Sequence, residues 1–163
     1  MNLKTDKYII VEIIPTRSTP DKGIIAQISA LKVEGIRLLD RFDYRVTNKH
    51  IESPDIQRMI SYDTKAFTYL DDTKSMLKKF KEWSEGLPLL TIDNTYTPKY
   101  LASLRNHQEM VFPHLGLEFS EDVFDQIMAK YPIAPTQHLV DIIYEALIYE
   151  GYIPSKIREP KKQ

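Results

Sequence analysis

Glu12 is an acid set inside an apolar run, Tyr8-Ile9-Ile10-Val11-Glu12-Ile13-Ile14. Taking a charged carboxylate out of water costs several kcal/mol unless a partner or a metal compensates. An acid at this position therefore binds a cation, pairs with a nearby Lys or Arg, or points to a solvated sheet edge. Ile14 lies two residues on, on the same face of an extended strand. An acid there would complete the paired carboxylates that hold divalent cations, whereas isoleucine offers no ligand atom. Asp141 is a second candidate, next to the apolar stripe of a helix, where its plain role is a solvated flank. Asp93, Asn94 and Tyr96 follow a short apolar segment, where they either line a groove or form a turn. The chain has no cysteine, which excludes disulfides, thiolate zinc sites and cysteine nucleophiles. His50, His107, His114 and His138 show no i, i+4 pairing of the kind that holds zinc on a helix. Gly-rich phosphate loops, Walker motifs and Gly-x-Ser-x-Gly are absent as well.

The elements that must position these residues follow from periodicity. Tyr8 to Ile14 is rich in Ile and Val without alternation, the pattern of a strand buried on both faces. Pro15 to Gly23 is dense in turn formers, and Ile24 to Val33 is a second strand. Glu34-Gly35 predicts a tight hairpin into a third strand, Ile36 to Val46. Ser53-Pro54 predicts a short helix through Ile60. Asp71 or Asp72 caps a longer helix on which Met76, Leu77, Phe80, Trp83 and Leu87 share one face. Pro88 to Ile92 is a short strand, and Thr97-Pro98 starts another helix with Thr97 as its N-cap. Further helices open at Ser120 and Thr136, the last with Gly151 as its stop.

The composition fits one soluble domain over residues 1–163, with about 155–163 as a frayed tail. No apolar run approaches the roughly 20 residues of a membrane span. The N-terminal segment lacks a signal-peptide core, which predicts a cytoplasmic protein. A formal net charge of −1 argues against a strongly electrostatic nucleic-acid binder. The concentrated basic stretch is the tail, Lys156 to Lys162. Trp83 at helical spacing reads as core, and Tyr62, Tyr69, Tyr96 and Tyr100 as core or base-stacking positions.

Order of elements and local residues together resemble the DnaQ-like, or DEDD, 3′–5′ exonuclease family of the ribonuclease H-like fold. Val11-Glu12-Ile13-Ile14-Pro15-Thr16 falls where that family has its Asp-x-Glu strand, and Ile24 to Val33 where its second strand lies. Arg41-Phe42-Asp43-Tyr44-Arg45-Val46 resembles the third strand, and Ile60-Ser61-Tyr62-Asp63-Thr64 the turn before the long helix. Leu89 to Leu101 matches the family's second motif without a gap.

The resemblance implies an α/β domain with a ribonuclease H-like mixed sheet, three antiparallel strands leading, flanked by helices. It also implies a two-metal phosphodiesterase using Mg²⁺ or Mn²⁺ and four carboxylates. Those four do not carry over. Glu12 stands at the first acid, one methylene longer, and is the one candidate metal ligand of that motif. Ile14 and Thr97 occupy lost acidic positions. Asp141 either stands for the last acid, or His138 to Ile143 is the helix preceding that motif, which the chain then lacks. The resemblance therefore implies a degenerate exonuclease domain without a metal cofactor, kept as a nucleic-acid- or protein-binding module. The alternative is an active metal-dependent 3′–5′ exonuclease acting on single-stranded DNA or RNA ends through Glu12 and Asp141. Asp93, Asn94 and Tyr96 border the implied substrate groove.

Overall fold

A computed structural model of the chain describes residues 2–15, 25–35, 37–46, 68–70, 72–92, 97–102, 108–113, 123–133, 139–151 and 157–158. Strand β1 (Lys7–Pro15) is central because every residue after Lys7 is buried. It pairs antiparallel with β2 (Ile25–Glu34), which pairs antiparallel with β3 (Arg37–Val46). These are the three leading strands expected from the sequence. On the other side β1 runs parallel to β5 (Leu89–Leu90), and β5 parallel to β6 (Met110–Pro113). Two short strands close the sheet, β4 (Thr68–Leu70) parallel to β3 and β7 (Ile157–Arg158) antiparallel to β6. The order is β4-β3-β2-β1-β5-β6-β7. The stretch expected to fray thus contains a two-residue strand, because the open edge of β6 offers backbone groups that β7 satisfies.

Gly35 turns the β2–β3 hairpin at φ +61, and a Cβ there would stand 2.3 Å from the Lys4 carbonyl oxygen. Only glycine fits so close an approach. Helix α1 (Thr73–Ser84) begins at Asp72, whose Oδ1 accepts the Ser75 N–H at 2.7 Å. It ends at Ser84, short of Leu87, because Glu85 takes the left-handed conformation (φ 54). Lys32 Nζ donates to the Trp83 carbonyl and to Glu85 Oε1, both at 2.6 Å, which satisfies one of the open carbonyls of that C-terminus.

The side chains of β1 alternate as far as Ile13 and divide the core into two. Ile9, Val11 and Ile13 pack with Ile28, Ala30, Met76 and Phe80 beneath α1, with Tyr100 and Leu101 of helix α2 (Thr97–Tyr100) and its exit. Tyr8 and Ile10 pack on the other face with Ile127 of α3 (Val123–Lys130) and Val140, Ile143 and Leu147 of α4 (Leu139–Tyr149). Gly151 follows α4 at φ +68, as its expected stop. The result is a mixed sheet between two helical layers, the α/β arrangement expected from the sequence. The helix expected from Ser53 to Ile60 lies outside the described residues.

Candidate functional site

Register decides what surrounds Glu12. Directly paired residues share a sheet face, and Glu12 of β1 pairs with Ser29 of β2, which pairs with Asp43 of β3. The next row is Ile14, Gln27 and Arg45. The face that carries α3 and α4 thus turns polar toward the C-terminal ends of β1 and β3. Glu12 is 2 % exposed, so it does not point to a solvated edge.

Its carboxylate is held by donors from two other elements. Oε1 accepts the Thr91 hydroxyl at 2.6 Å and the Ile92 N–H at 3.1 Å, while Oε2 accepts the Thr97 hydroxyl at 3.3 Å. Hydrogen bonds to a charged group contribute about 1.5–3 kcal/mol each. Three of them offset a desolvation cost of several kcal/mol. The Ile92 amide is available because β5 pairs with β1 only at Leu89 and Leu90. For the same reason the Ile13 N–H extends past the end of β5, and it donates to Thr97 Oγ1 at 3.4 Å. Thr97, expected to cap its helix, is itself the first residue of α2, and these contacts of its hydroxyl run back to β1.

The outer half of the polar row is ionic. Ser29 donates its hydroxyl to Asp43 Oδ1 at 2.7 Å, and Arg41 Nε donates to Asp43 Oδ2 at 3.0 Å. Arg41 then grips Asp141 of α4 with both Nη atoms, at 2.8 and 2.9 Å. This bidentate geometry is the strong form of the pair. Hydrogen bonding to Asp141 pushes the Arg41 guanidinium above its already high range. In the adjacent row Arg45, 1 % exposed, donates through Nε and Nη2 to Gln27 Oε1 at 3.0 and 2.6 Å.

The structure therefore separates the two sequence candidates. Glu12 sits on β1 among the Thr91 and Thr97 hydroxyls, and Asp141 meets Arg41 two strands away on β3. Asp93, Asn94, Tyr96 and His138 lie outside the described residues. Ser29, Asp43, Arg41 and Thr91 were not singled out from sequence. Alternation of charge along Asp40-Arg41-Phe42-Asp43-Tyr44-Arg45 was the available signal, since Arg41, Asp43 and Arg45 fall on one face of a strand. Among the described residues no group of three or more His, Cys, Asp or Glu could hold a metal ion. Among the described residues Ile14 contributes no ligand and Asp141 is paired with Arg41, so those residues by themselves do not supply the donor set of a two-metal centre.

No protein-family model matches the chain, and no curated protein matches it by sequence. Solved structures do resemble its fold. Cell-death related nuclease 4 superposes with a TM-score of 0.58 at 11% identity, over 93% of this chain and 65% of that one. Zinc-bound E. coli ExoI in complex with single-stranded DNA gives 0.53 at 10% identity, over 91% of this chain and 40% of ExoI. The chain is thus similar in fold to nucleases and spans less than two thirds of either. No helix among the described residues is long and apolar enough to cross a membrane.

Proposed function

We propose that the chain is a degenerate DnaQ-like exonuclease domain, catalytically weak or inactive, that serves as a binding module for nucleic acid or a protein partner. The observation that carries this reading is how the two surviving acids are used. Glu12 accepts hydrogen bonds from Thr91, Ile92 and Thr97, and Asp141 is neutralised by Arg41. Both carboxylates serve cohesion between elements, and metal-dependent hydrolysis needs them turned toward a cation instead. The likeness to two nucleases supports the ancestry, since fold and activity diverge independently.

The test is an assay of purified protein on end-labelled single-stranded DNA and RNA with Mn²⁺, beside the Glu12→Ala variant. Product no greater than that of the variant is expected. Cleavage by the wild type that Glu12→Ala abolishes would establish the active metal-dependent exonuclease in its place.

A further inference from the structure

Helix α1 lies on the face of the sheet opposite Glu12, packed through Met76 and Phe80. Its outer surface is basic. Lys74, Lys78, Lys79 and Lys81 are exposed, against one acid, Glu82, in a chain whose formal net charge is −1. Lys74, Lys78 and Lys81 follow i, i+4, i+7 and so fall within about 60° of the helix surface. None of the four ammonium groups forms an ion pair among the described residues, although ion pairs within 4 Å are formed by Lys32 and Lys130. Like charges at i, i+4 disfavour a helix by a few tenths of a kcal/mol. The attraction between Lys74 and the N-cap Asp72, and the place of Lys81 in the last turn, offset that cost in part. The tail is not the one concentrated basic element; a helix face disperses its charges in sequence and gathers them in space.

We propose that the Lys74–Lys78–Lys81 stripe is a docking surface for the phosphate backbone of double-stranded nucleic acid. At a rise of 1.5 Å per residue the stripe is about 10.5 Å long. That length spans roughly three phosphate steps of one duplex strand, which rises about 3.4 Å per nucleotide. Complementary charge is the argument for the occupant, and a duplex presents the densest array of fixed phosphates. Binding of single strands draws on aromatic stacking platforms, and the exposed residues of α1, Lys74, Ser75, Lys78, Lys79, Lys81 and Glu82, include no aromatic ring. The surface contributes backbone affinity without sequence readout. This proposal rests on the binding-module reading above and names its ligand.

Fluorescence anisotropy with a labelled duplex of about 20 base pairs, titrated with salt, tests the proposal. The Lys74→Gln/Lys78→Gln/Lys81→Gln variant keeps good helix formers, and circular dichroism verifies its fold. It is expected to lose at least ~tenfold in affinity and to flatten the log–log salt slope by about 2–3. Glu82→Gln, which removes the acid from the same face, is expected to tighten binding. Wild-type duplex binding that the triple variant retains unchanged overturns the α1 surface and leaves the module reading standing. Absence of duplex binding at low salt also overturns it, and absence of single-strand binding as well removes the nucleic-acid arm of that reading. Tighter binding of single strands than of duplex, or equal competition by polyglutamate at matched charge, likewise overturns it. The polyglutamate result would identify an acidic protein as the occupant.

Discussion

Arg41 on β3 and Asp141 on α4 are 100 residues apart in sequence and meet in a two-pronged ion pair. The pair pins the α4 layer to a strand near the sheet's edge, while apolar residues of α4 pack over its centre. Its side chains are 37% and 21% exposed, so solvent screens part of the attraction. We expect Asp141→Asn to cost about 1 kcal/mol, with a similar coupling energy in an Arg41→Ala/Asp141→Ala cycle. Urea denaturation of the four proteins measures both.

Glu12→Ala removes the acceptor shared by Thr91, Ile92 and Thr97 and leaves three buried donors behind. A loss of about 2–4 kcal/mol is expected. Glu12→Gln keeps one carbonyl acceptor and opposes an amide to a hydroxyl that can rotate to accept, so its loss should be smaller. Equal stability of the two variants by urea denaturation would refute this account of the cage.

Among the described glycines, all three of them left-handed, Gly35→Ala should be the most damaging change. Gly86 and Gly151 share the positive φ, at 70 and 68, but a Cβ at either meets nothing within 4 Å. Those changes should cost about 1 kcal/mol through backbone strain alone. At Gly35 the approach to the Lys4 carbonyl adds to that strain, and a loss beyond about 2 kcal/mol is expected. Thermal melts of the three variants rank them.

Stability should depend on pH at both extremes. The hydrogen bond from Lys32, and then its charge, hold the Glu85 carboxyl below the usual carboxylate range. A depressed carboxyl stabilises the fold above its unfolded pKa of about 4.3, and that contribution fades as pH falls through the folded value. The Tm difference between wild type and Glu85→Gln should be flat near neutrality and shrink below about pH 4. Burial raises the Tyr8 phenol well above its usual range, reinforced by Tyr144. The folded state then holds a proton that the unfolded chain releases above about pH 10, so stability is lost as pH rises past that point. Tyr8→Phe, which also gives up the 3.1 Å bond to the Gly35 carbonyl, should be less stable at neutrality and flatter in alkali.

Local signals made much of the fold legible. The apolar run of β1, the Glu34-Gly35 turn and the Asp72 cap each act within a few residues, so sequence spacing alone locates them. Edge strands β4 and β7 have no such signal, because two or three residues become a strand only by meeting an unpaired edge. The environment of Glu12 was hidden for a related reason. Its donors Thr91 and Thr97 are 79 and 85 positions away, and only the parallel pairing of β5 with β1 brings them near. That Ile14 places no ligand atom beside Glu12 was visible at once, since it needs only the period of a strand. The ladder of Ser29, Asp43, Arg41 and Asp141 needed the register.

Trp83 is the only tryptophan in the chain. Its indole N–H donates to Asp40 Oδ2 at 2.9 Å, its ring lies 4.7 Å from Lys32 Nζ, and it contacts the Phe42 and Phe80 rings. Intrinsic fluorescence of this protein therefore reports one seam, where α1 meets β2 and β3. The layer built from α3 and α4 is dark to that probe. If the two halves of the core come apart in sequence on unfolding, tryptophan emission and far-ultraviolet dichroism will give different midpoints, and the order of those midpoints will identify which layer lets go first.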